Sequence, residues 1–153
     1  MLHIFVDADA CPVKQEIYRV ARRCNLEVTL VANSWMQTPN DASVHFQLVQ
    51  EGPDVADDWI VDQAQIDDIV ITADIPLADR AIKKGAVALG TTGKPFTPQN
   101  IGSVLATRDL MSDLRDLGAV TGGPPPLQQA DRSRFLQALD TAIQAIRRRN
   151  PTN

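Results

Sequence analysis

Apolar positions along the chain fall into two alternating spacings. Short runs at "LHIFV" (2–6), "EVTLVA" (27–32), "VHFQLVQ" (44–50), "DIVIT" (68–72) and "AVAL" (86–89) have the length and β-branched content of strands. Between the first two, Val13, Ile17, Val20, Ala21 and Cys24 recur at helical spacing, with Lys14, Glu16, Arg19, Arg22 and Arg23 on the other side. Residues 54–65 form a second helix, on which Val55, Trp59 and Ile60 oppose Asp54, Asp57, Asp58 and Asp62. A third covers 75–84 and ends at Gly85 as a left-handed cap. A long helix follows the last strand, with Thr97 as N-cap, Pro98 at its first position and Gly118 as its stop. "TGGPPP" (121–126) cannot be helix, because proline lacks the N–H and restricts the residue before it.

This alternation predicts an α/β protein with a mostly parallel five-stranded sheet between helices. Residues 1–120 form the α/β domain, 121–128 a linker, and 129–153 a C-terminal helix bearing Phe135, Leu139, Ala142 and Ile146. That face must be covered, by the domain itself or by a second copy in a homo-oligomer.

With 153 residues, 44% of them apolar, the chain suits one core rather than two. No run approaches the roughly 18 apolar residues of a membrane span, and the N-terminus enters a strand without a basic leader, so the expectation is a cytoplasmic protein with no membrane contact. Cys11 and Cys24 lie near opposite ends of one predicted helix, too far apart to bridge, and are expected as thiols. A formal charge of −4 argues against a protein that coats nucleic acid through a basic surface. The basic clusters, Arg22–Arg23, Lys83–Lys84 and 147–149, sit where helices end and favour cations.

The chemistry is carried by aspartates. In an open parallel sheet the functional crevice lies beyond the carboxyl ends of the strands. Asp7 follows the first strand and Asp74 the fourth. In the strand order 3-2-1-4-5 these strands are neighbours, about 4.8 Å apart, so both acids reach one ion. Asp9 points the same way if the chain stays extended, and Asp57 joins from the acidic helix. Carboxylates crowded this way need a cation or a shared proton, and oxygen-only ligands select Mg2+ or Mn2+. Capping is the structural alternative: Asp9, Asp54 and Asp74 each precede a predicted helix. Cys11 lacks a histidine partner for a nucleophilic role, and His3 and His45 read as partly buried, hydrogen-bonded strand residues, so zinc is not expected.

At "VDADACPV", "LVANS", "GPDVADDWIV", "VITADIPLA" and "TGGPPPLQQADRSRF" the chain resembles the YaiI/YqxD family of bacterial proteins over nearly its whole length. The resemblance implies a PIN-like three-layer sandwich, a fold whose better-known members are metal-dependent nucleases. It implies Asp7, Asp9, Asp57 and Asp74 as catalytic and metal-binding acids, with Asp54 close by. The chain departs from the family after the fifth strand: where members carry Asn-Pro-Arg-Gly it reads "GTTGKPFTPQNI", which leaves Lys94 as the cation of that loop. Lys14, Asn33, Lys94 and Arg108 are the expected substrate contacts.

Three functions follow. The first is a Mg2+- or Mn2+-dependent nuclease acting on RNA or DNA, with Asp7 and Asp74 as principal ligands. The second is a phosphohydrolase resembling the haloacid dehalogenase group, with Asp7 as nucleophile, Asp9 as acid and Ser34 after the second strand. That group inserts a helical turn and hairpin where Pro12 here already begins a helix. The third is a non-catalytic binding module.

Overall fold

A computed structural model describes residues 2–52, 54–102 and 127–150. Its sheet has six strands in the order β3-β2-β1-β4-β5-β6. They are β1 (His3–Asp7), β2 (Glu27–Ala32), β3 (Val44–Leu48), β4 (Ile69–Ile71), β5 (Val87–Leu89) and β6 (Pro95–Phe96). The first five run parallel and follow the expected order. The sixth corrects the five-strand expectation: Pro95–Phe96 returns antiparallel on β5, with Ala88 opposite Phe96. A tight turn makes this possible, since Gly90 N–H donates to the Lys94 carbonyl at 2.9 Å and Gly93 adopts φ +87°. Two residues beginning with proline carry little strand signal, and an edge strand tolerates the missing donor.

Among the described residues the sheet is flanked by α1 (Lys14–Cys24), α2 (Val55–Gln63), α3 (Ile75–Lys83) and α4 (Gln129–Arg149). Alternation along β1 sorts them into layers. Ile4 and Val6 join Val13, Ile17 and Val20 of α1 and Phe135, Leu139, Ile143 and Ile146 of α4 in one core. Phe5 joins Ile60 of α2 and Leu77 and Ala81 of α3 in the other. The apolar face of α4 is therefore spent on its own chain. Arg132 extends that docking by donating to the buried Glu16 carboxylate at 3.0 Å.

The ends of the helices follow local chemistry. Gly85, at φ +90°, closes α3 with paired bonds: Gly85 N–H to the Ile82 carbonyl and Ala86 N–H to the Ala81 carbonyl. Thr97 and Asn100 exchange reciprocal side-chain-to-backbone bonds at 3.1 and 2.9 Å, which supports Thr97 as an N-cap. The rest of the helix expected to Gly118, and most of the 121–128 linker, lie outside the described residues. β1 runs one residue further than expected, because Asp7 still pairs with Val31.

Candidate acidic site at the carboxyl edge of the sheet

Asp7 is the last residue of β1 and shares the face of Phe5, toward α2 and α3. Its Oδ2 accepts a hydrogen bond of 2.9 Å from the Thr72 hydroxyl, just beyond β4. The same hydroxyl accepts from the Asp74 backbone N–H at 2.9 Å. One buried threonine thus ties together the ends of two neighbouring strands and the acids they carry. Asp74 in turn caps α3, its Oδ1 accepting from Leu77 N–H at 3.0 Å. The capping and site readings of Asp74 are compatible, because a cap uses one oxygen of the two.

Asp57 enters from the first turn of α2. Its pKa is pushed up to about 6, first by burial and then by the charges of Asp74, Asp7 and Asp54, which Arg80 only partly offsets. Asp7 is likewise raised, by burial first; the Thr72 hydrogen bond opposes the shift while Asp74 and Asp9 add to it. Asp7, Asp57 and Asp74 therefore share one electrostatic field, although β1, α2 and the β4–α3 junction deliver them separately.

Asp9 neither points along an extended strand nor caps a helix. The chain does not stay extended after Asp7 but turns through a 3-10 helix at Ala8–Ala10. Asp9 is exposed and accepts from Asn33 N–H at 2.9 Å, tethering the end of β2. Nor does it cap α1, whose N-cap position is Val13. Asp54 occupies the N-cap position of α2 at φ +63° but makes no side-chain cap bond. Outside the site, Asp58 pairs with Arg80 and Asp79 with Lys83, both at 2.8 Å.

The expected substrate contacts divide. Lys14 Nζ donates to the carbonyls of Ala8 and Cys11, at 3.2 and 2.9 Å, and so clamps the turn after β1. Asn33 stands at the rim with its side chain exposed. Lys94 is exposed at the same edge, in the β5–β6 turn, about two strand spacings from β1. Arg108 lies outside the described residues. Cys11 is buried, which raises its pKa and leaves it a poor nucleophile. His3 is partly buried and bonds Thr29 at 2.7 Å, whereas His45 differs from expectation in being exposed, bonded to Glu27 at 3.2 Å. Thr72 is the residue that reading the sequence missed. Its only signal is a hydroxyl two places before Asp74, at the end of an apolar run.

Among the described residues no group of three or more His, Cys, Asp or Glu side chains is placed to hold a metal ion. A looser mode suits the donors better. Mg2+ keeps several waters and uses only one or two carboxylates. Asp7 and Asp74 each commit one oxygen to a hydrogen bond within the fold, and the second oxygen of each has no partner among the described residues. All donors are hard oxygens, and Asp57, its pKa raised first by burial, also feels the charges of Asp74, Asp7 and Asp54, a repulsion that a cation relieves.

Fold and site together define a mostly parallel α/β protein with carboxylates gathered where neighbouring strands end. A family model described as "Uncharacterized BCR, YaiI/YqxD family" matches residues 5–145, and the chain belongs to that family. It is 55% identical to a UPF0178 protein of Parvibaculum lavamentivorans over 151 residues, covering 99% of each chain. It is 52% identical to a UPF0178 protein of Caulobacter sp. over 148 residues, covering 97% of this chain and 98% of the relative. With a UPF0178 protein of Rhodospirillum rubrum it shares 55% identity over 148 residues, or 96% and 99% of the two chains. No solved structure matches. No helix among the described residues is long and apolar enough to cross a membrane.

Proposed function

We propose that the protein is a cytoplasmic, metal-dependent phosphodiesterase acting on RNA or DNA, with Asp7 and Asp74 holding Mg2+ or Mn2+ and Asp57 facing them. The observation that carries this reading is the shared field of three carboxylates from three elements, linked through Thr72. The PIN-like fold that the family resemblance implies supports it, as a fold-level analogy beside the geometry of the site. A bound ion supplies charge neutralisation at the phosphodiester and an activated water. Asp7 and Asp74 hold their free oxygens in fixed positions, because the other oxygen of each is bonded within the fold. Asp57 adds charge from the facing helix, and Asp9 fixes the β2 rim. The phosphohydrolase alternative requires Asp9 free to act as an acid above Asp7, whereas here it is bonded to Asn33 N–H.

The test is incubation of wild type and Asp7→Asn with end-labelled single-stranded and structured RNA and DNA, with Mn2+ and with chelator. Shortening that requires Mn2+ and falls by about a hundredfold or more in the variant is expected. Cleavage unaffected by Asp7→Asn would overturn the assignment.

A further inference from the structure

The segment between β2 and β3 leaves the sheet at the acidic edge, and its first residue is held to the site by the Asn33 N–H to Asp9 bond of 2.9 Å. Two residues further on, within about 7 Å of chain, stands Trp35. Its exposure is 75%, the highest among the large hydrophobic side chains found exposed. Tryptophan is highly buried on average, so an indole held in solvent is unusual. The neighbouring Met36 packs against the core and anchors the segment beneath it. From Asn33 through Asn40 the sequence reads "NSWMQTPN", without a charge but rich in amides and hydroxyls. Asn33, Ser34 and Gln37 are exposed, and their side chains have no hydrogen-bond partner among the described residues.

A flat aromatic face flanked by neutral donors and acceptors suits a planar ring with a polar edge. We propose that Trp35 is a stacking platform for an unpaired base of a single-stranded nucleic acid, with the amides of its segment meeting the edge of that base. The choice of ligand class rests on the phosphodiesterase reading. Trp35 follows by two residues the Asn33 that is bonded to Asp9, so the platform lies along the chain from the carboxyl edge of the sheet where the carboxylates gather. Base stacking is sequence-tolerant and adds affinity through the ring face, independently of the net charge of the chain.

The experiment measures fluorescence polarisation of a short labelled single-stranded RNA with wild type, Trp35→Ala and Trp35→Phe, in Ca2+ so that strands are held without turnover. Trp35→Ala should weaken binding by about five- to a hundredfold, the range of one lost base stack. Trp35→Phe should retain most of the affinity. On a strand with abasic positions, wild type and Trp35→Ala should bind alike. Equal affinity of wild type and Trp35→Ala for the intact strand, including no affinity in either, would overturn the proposal. So would self-association abolished by Trp35→Ala without RNA binding, which would assign the indole to a protein contact. Trp35-dependent binding without cleavage in Mn2+ would sustain this proposal while removing the hydrolase reading. Cleavage with a KM unchanged in Trp35→Ala would do the reverse.

Discussion

Asp57 shows how environment sets the chemistry of a single residue. Its pKa near 6 lies above the ordinary 3.8, so the folded protein holds that proton more tightly than the unfolded chain does. Asp57 therefore supports the fold at low pH, and the support is lost as pH rises through about 6. Asp57→Asn should raise the midpoint of thermal unfolding by a few degrees at pH 7.5, and by progressively less as pH falls below about 6. A melting series across that window checks the sign; a variant less stable than wild type at pH 7.5 would contradict it. The sequence made the acids legible, because aspartates at the ends of two strands have no need to coincide. It left Thr72 illegible, since one hydroxyl after an apolar run looks like any strand residue until β1 and β4 are paired. The path of Asp9 was hidden for a related reason: the 3-10 turn that redirects it is fixed partly by Lys14 reaching back to Ala8 and Cys11.

Among elements, α4 is the decisive case. Its pattern of Phe135, Leu139 and Ile146 announced a buried face but not what would bury it, because periodicity records that a side is apolar and not its partner. The structure places that face on α1 and the sheet. Leu139 is fully buried, so Leu139→Ala should cost about 2–5 kcal/mol, read as a lower denaturant midpoint with little change in slope. Midpoints that matched wild type would mean α4 is not part of the cooperative core. β6 was out of reach for a different reason. Its pairing depends on the Gly90–Lys94 turn, and a Cβ at Gly93 would lie 2.8 Å from the Arg134 carbonyl oxygen, a contact with α4 that no local pattern displays.

For the molecule as a whole, the parallel order was legible because five apolar runs separated by helical segments leave few alternatives, and parallel neighbours align their carboxyl ends at one edge. The consequence is a net-acidic protein whose acids gather where the sheet presents them, while many of its cations are occupied as partners: Arg132 on Glu16, Arg23 on Asp140, Arg149 on Asp67. Such a molecule attracts phosphate poorly without a bridging ion, and that dependence can be measured directly. Calorimetric titration of Mn2+ into wild type and Asp7→Asn addresses the acidic site without presupposing a substrate. Saturable binding is expected in wild type, weakened at least tenfold in the variant while its fold is retained. No binding by wild type, or equal binding by both proteins, would contradict metal binding at Asp7.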